Sequence, residues 1–180
     1  MRVISGTARG LKLLAPDGMG TRPTTDRVKE SVFNILMPYI PCENVLDLFA
    51  GSGSMGLEAL SRGCSHAVFV EKELSALDII HKNLEKARVI ASSEVIKADA
   101  FDYLCRCKMR FDIIFLDPPY NKGLLTPVFE KIFSGRLLTA EGIVVVESEA
   151  GGEMVCDSRF DCIKQAKYGK TVISVFRFRS

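Results

Sequence analysis

Residues 43–63, "ENVLDLFAGSGSMGLEALSRG", decide how this chain folds. An apolar run, "ENVLDLF" (43–49), reads as a β-strand. A glycine-rich turn follows, and then "GLEALSRG", in which Leu57 and Leu60 recur three apart, as one face of a helix requires. Gly51, Gly53 and Gly56 satisfy the spacing G-x-G-x-x-G. Glycines there permit a tight strand-to-helix turn and close approach of a ligand to the backbone, while the helix start presents free N–H groups.

The same alternation continues downstream. "HAVFVE" (66–71) leads into a helix-like segment with Leu77, Ile80 and Leu84 on one face, then come "EVIKAD" (94–99), a short helix around Phe101–Cys107, "FDIIFLD" (111–117), a helix around Leu125–Phe133 and "GIVVVES" (142–148). Strands alternating with helices predict an α/β fold with a mainly parallel sheet. The last segment differs: "FDCIKQAKYG" and "KTVISVFRFRS" are strand-like and joined by a turn, which predicts a C-terminal antiparallel hairpin. Seven strands result.

The first 40 residues read as a unit of their own, a short β-hairpin around Gly6–Gly10 followed by a helix. Thr24 or Thr25 is the expected N-cap, Val28, Val32, Phe33 and Leu36 the buried stripe, and Pro38 the stop. The expected division is 1–40 and 41–180. Arg2, Arg9, Lys12, Arg22, Arg27 and Lys29 against Asp17, Asp26 and Glu30 make the first unit locally basic, whereas the whole chain carries only +2 from 24 basic and 22 acidic residues. That balance excludes a global basic field, so any nucleic-acid contact is local.

With 180 residues at 47% apolar composition, one well-filled core is expected. No secretory leader or membrane span is apparent, which predicts a cytoplasmic protein. Cys42, Cys64, Cys105, Cys107, Cys156 and Cys162 are scattered, and with only His66 and His81 beside them they form no zinc-ligand spacing. Buried thiols and no metal are expected.

Acids close the predicted strands. Glu71 lies at the end of the second, about 20 residues past the first glycine, where a carboxylate holds ribose hydroxyls. Asp47 stands just before the glycine turn; it would repel a pyrophosphate and attract the ammonium and sulfonium of S-adenosylmethionine. Asp99 ends the third strand, placed either to accept from an adenine amino group or to cap the following helix. The fourth strand ends in Asp117-Pro118-Pro119-Tyr120. The prolines lack N–H groups, so the corner offers acceptors only, the Asp117 carboxylate and the Pro118 carbonyl, for an exocyclic amine whose lone pair then faces an electrophilic methyl. Tyr120 supplies a face for base stacking.

"DLFAGSG" with "IIFLDPPY" resembles the Rossmann-like class I S-adenosylmethionine-dependent methyltransferases that modify exocyclic base amines. "RVISGTARGLKL" and "RPTTDRVKESVFNIL" narrow the resemblance to the RsmD family, bacterial enzymes that methylate N2 of a guanine in 16S rRNA, and it extends over essentially the whole chain. The resemblance implies a cofactor site of Asp47, Phe49, Gly51, Gly53, Glu71, Lys72, Asp99 and Ala100. It also implies a catalytic corner of Asp117, Pro118, Pro119 and Tyr120, RNA contacts from Arg22, Thr24, Arg27 and Lys29, and 16S rRNA within an assembling 30S subunit as partner. Ser54, Met55 and Lys170 depart from the pattern without touching these positions.

Rival readings are N6-adenine methylation of DNA, for which D-P-P-Y serves equally, an NAD-dependent Rossmann oxidoreductase, and an RNA-binding module without catalysis. The oxidoreductase explains the glycines and Glu71 but leaves Asp47 and residues 117–120 without a role.

Overall fold

The computed structural model describes residues 1–15, 26–119, 123–152 and 157–179. Its centre is a seven-stranded sheet in the order β3-β2-β1-β4-β5-β7-β6. The strands are β1 (Asn44–Asp47), β2 (His66–Glu71), β3 (Ser93–Lys97), β4 (Phe111–Leu116), β5 (Leu138–Glu149), β6 (Phe160–Tyr168) and β7 (Thr171–Phe178). β1 to β5 pair in parallel, and β7 is antiparallel to both β5 and β6, which is the hairpin expected from the sequence. The helices are α1 (Asp26–Ile35), α2 (Ser54–Ser61), α3 (Leu74–Ala87), α4 (Ala100–Arg106) and α5 (Leu125–Ser134). None of the described helices is long and apolar enough to cross a membrane.

The period-2 alternation of the strands divides the core into two layers. Val45, Phe69, Ile113, Phe115, Ile143, Val145 and Ile173 face α1, α2 and α3, while Leu46, Val68, Ile114, Val144 and Val146 face α4 and α5. The hairpin is seated on the second layer by aromatic contacts of Phe129 with Phe160 (4.8 Å) and Phe176 (5.1 Å), edge to face.

β5 begins earlier than the apolar run suggests. Thr139–Glu141 break that run, and Gly142 is there because a Cβ would come within 2.8 Å of the Phe111 carbonyl oxygen. The local register shift between Phe111 and Ile113 accommodates it.

At the N-terminus the predicted hairpin is a single antiparallel bridge between Arg2 and Lys12. Val3 and Leu13 from this segment, with Val28, Val32, Phe33 and Leu36, join the same apolar layer as β1, β2 and α2. Polar contacts fix it further. The Ile4 and Ser5 N–H groups donate to the Glu58 carboxylate (2.8 and 3.0 Å), and Ala8 N–H donates to Ser61 Oγ (2.9 Å). The described residues of the first 40 and the sheet therefore share one core. The thiols are less buried than expected: Cys64 is buried, Cys42 and Cys107 are half-buried and Cys105 and Cys162 are exposed, while Cys156 lies outside the described residues.

Candidate active site

The chain runs from β1 outward to β3 and then returns to place β4 beside β1, so the strand order reverses between them. At such a switch point the loops leave in opposite directions and open a cleft at the carboxyl edge. The glycine turn and the Asp-Pro-Pro corner both lie there.

The turn is built as the spacing requires. Gly51 and Gly53 adopt φ of +55° and +74°, with Gly53 at the N-cap of α2. Gly56 serves packing, since a Cβ would meet the Phe69 ring at 2.5 Å. Two of the predicted cofactor acids brace the turn. Gly51 N–H donates to Glu71 (2.9 Å), whose other oxygen accepts from Lys72 and Glu73 N–H (2.8 and 3.0 Å), and Gly56 N–H donates to Asp47 (3.0 Å). A carboxylate has about four acceptor sites, so these bonds leave capacity for a ligand.

Asp47 is 4% exposed. Burial pushes its carboxyl from 3.8 up to about 7, the charge of Glu71 adds to the rise, and the N–H bonds from Gly56 and Met55 oppose it. Asp99 caps α4, accepting from Phe101 N–H (2.9 Å), so the helix-cap alternative is realised with one of its two oxygens. Phe49 is half-buried, Lys72 exposed and Ala100 buried.

Asp117 follows β4 directly. Solvent reaches it, but it sits deep among protein atoms that strip its hydration, and with Glu147 and Asp47 nearby its carboxyl is held well above the ordinary carboxylate range. Pro118 is buried and Pro119 exposed; Tyr120 lies outside the described residues. Strand parity puts Asp47 with Val45, Glu71 with Phe69, and Asp117 with Phe115, all on the face covered by α1 and α2. Among the described residues no lysine or arginine pairs with Asp47 or Asp117. Carboxyls clustered without a cation resist ionisation, and a cationic ligand supplies the missing countercharge whereas a pyrophosphate does not.

The pKa of Asp47 has a consequence for stability. Below about pH 4 the carboxyl is protonated in both folded and unfolded chains. Between about 4 and 7 only the folded chain keeps the proton, so this contribution to stability is lost as pH rises through the folded value, by at most about 4 kcal/mol. Asp47→Asn is therefore expected to raise Tm relative to the parent at pH 8 and not at pH 4, while weakening binding of S-adenosylmethionine. A Tm difference independent of pH, measured without ligand, contradicts this account.

The family model described as "Conserved hypothetical protein 95" matches residues 1–177. The "Ribosomal RNA small subunit methyltransferase D" of Escherichia coli K12 is 40% identical over 149 residues, 83% of this chain and 75% of that relative. The chain belongs to the RsmD family of methyltransferases. The Bacillus subtilis protein YlbH is 39% identical over 184 residues, covering 99% of this chain and all of its own. The solved structure of Escherichia coli yhhF matches this RsmD-family chain with a TM-score of 0.88 at 33% identity, over 100% of this chain and 98% of that one.

One RNA-contact expectation for this family member fails. Lys29 is fully buried, ion-paired with Glu58 (3.2 Å) and donating to the Arg2 carbonyl, and burial lowers its pKa against the pull of Glu58. It cannot reach a phosphate. Its position was readable, because 29 lies three and four residues before Val32 and Phe33, inside the apolar stripe. Arg27 is exposed, and Arg22 and Thr24 lie outside the described residues. Glu58, Glu147 and Asn83 carry no motif and are not singled out by sequence. Asn83 is fully buried, donates to the Ser52 and Leu14 carbonyls (2.9 and 3.1 Å) and accepts from Leu14 N–H (2.8 Å), joining the glycine turn to the N-terminal segment.

Proposed function

We propose that this chain transfers a methyl group from S-adenosylmethionine to the exocyclic N2 amine of a guanine in 16S ribosomal RNA, within an assembling 30S particle. The observation that carries the reading is the donor-free corner Asp117-Pro118-Pro119 set beside the glycine turn at the strand-order reversal. S-adenosylmethionine supplies a methyl carbon made electrophilic by its cationic sulfur. Asp47 attracts the cationic end of that ligand, Glu71 accepts from ribose hydroxyls, and Asp99 keeps an oxygen for the adenine amine. Asp117 and the Pro118 carbonyl accept both amine hydrogens, which withdraws the nitrogen lone pair from the ring and aims it at the methyl carbon. The C–N bond forms as the C–S bond breaks, S-adenosylhomocysteine departs with the sulfur lone pair, and the amine proton passes to the Asp117 oxygen that already accepts it. The names of the relatives support the ribosomal RNA of the small subunit as substrate.

Replacing the target guanine by inosine, which lacks only the exocyclic amine, tests the reading. Labelled methyl transfer should vanish; transfer at an undiminished rate refutes an amine acceptor.

Arg9, Lys12 and Arg27 are exposed on the N-terminal segment and α1, and with Arg22 and Thr24 they supply the RNA contacts. Arg27→Ala is expected to weaken RNA binding at low salt and reduce the salt dependence of log K by about one phosphate contact, with cofactor affinity unchanged. An unaltered salt slope makes Arg27 a solvated surface charge.

A further inference from the structure

Glu147 is a buried acid at the carboxyl end of β5, and the reaction described above does not use it. Leu116, the last residue of β4, pairs with Val146, so Asp117 just past β4 and Glu147 on β5 each follow directly on that pair. Parity assigns Glu147 to the face of Ile143 and Val145, the same face as Phe115 and Asp117. The two carboxyls lie close enough for the charge of Glu147 to oppose ionisation of Asp117.

Two adjacent acceptors match two adjacent donors. The Watson–Crick edge of guanine presents its N2 amine next to N1–H, whereas adenine presents its N6 amine next to an N1 lone pair. Bases removed from a stack are read on that edge. Resting on the reading under "Proposed function", we propose that Glu147 selects guanine by accepting its N1–H while Asp117 and the Pro118 carbonyl hold the N2 amine. Adenine in the same place would set its N1 lone pair against the Glu147 carboxylate. With about four acceptor sites on two oxygens, a carboxylate that also bonds within the chain can still take a base N–H.

The discriminating substrate is small-subunit ribosomal RNA carrying 2-aminopurine at the methylated position. It keeps the N2 amine, replaces N1–H by a lone pair and lacks O6, so the variant's change in the ratio, not the ratio alone, reports the N1 contact. The parent enzyme is expected to prefer guanine by about 10- to 100-fold in kcat/KM, the usual cost of one wrong base contact. Glu147→Gln, whose amide can either accept from N1–H or donate to N1, should bring that ratio close to one. The ratio does not depend on the fraction of enzyme folded, so a structural role for Glu147 leaves it unmoved. A parent ratio near one overturns the proposal, even if the variant is inactive on both substrates. So does a high parent ratio that Glu147→Gln leaves unchanged, which would assign N1–H to Asp117. Label found in adenine overturns the guanine reading itself, whereas label at guanine N2 with an unchanged ratio removes only Glu147.

Discussion

Asp117→Ala is expected to lower methyl transfer by at least about 100-fold, the scale on which single preorganised electrostatic contacts act, while S-adenosylmethionine still binds. The two readouts separate because Asp117 follows β4 at the proposed amine corner, whereas the glycine turn is braced by Asp47 and Glu71. Burial and the charge of Glu71 are what raise the Asp47 carboxyl, so removing Asp117 leaves the glycine-turn acids as they are. Asp117→Asn keeps one carbonyl acceptor at the same place and should retain more activity than the alanine variant. Single-turnover transfer and equilibrium binding of the cofactor, measured on the same preparations, check both statements. Normal turnover in Asp117→Ala removes the amine clamp; loss of cofactor binding moves Asp117 into the cofactor site.

Glu58→Ala is expected to cost about 3–5 kcal/mol, the range for breaking a buried ion pair by removing one partner. Glu58 and Lys29 have fully buried side chains, and Arg62 joins them (2.8 Å) while its guanidinium stacks over Phe33 at 4.8 Å. Removing the carboxylate leaves the Lys29 ammonium uncompensated and orphans the Ile4 and Ser5 N–H groups, so the N-terminal segment loses its attachment to α2. At about 2–4 °C per kcal/mol for a chain of this size, Tm should fall by roughly 6–20 °C. The double variant Glu58→Gln with Lys29→Met keeps one carbonyl acceptor for the Ile4 and Ser5 N–H groups and removes the buried Lys29–Glu58 charge pair, and should recover part of the loss. A fall of only a degree or two in Glu58→Ala contradicts the attachment.

The parallel core was readable because its signals are local. β2 falls on the apolar run 66–71, and the glycine turn, the strand-end acids and the proline corner each declare themselves within a few residues. What escaped depends on partners distant in the chain. The spacing of Lys29 hints at burial, but Glu58, the carboxylate that holds it there, is supplied only when α1 packs on α2, and Glu147 reads as the polar end of "VVVES" until register sets it beside Asp117. Asn83 likewise looks like a solvated helix residue, although it bonds both the glycine turn and the N-terminal segment. Asp99 shows the opposite case: both readings were available from sequence, and the helix cap is the one seen in the fold.

The most direct test of the central claim is nucleoside analysis of small-subunit ribosomal RNA and 30S particles lacking the modification, after incubation with this protein and labelled S-adenosylmethionine. The account predicts that the label appears as N2-methylguanosine. Label in N6-methyladenosine, or on a ring atom in place of an exocyclic amine, contradicts it.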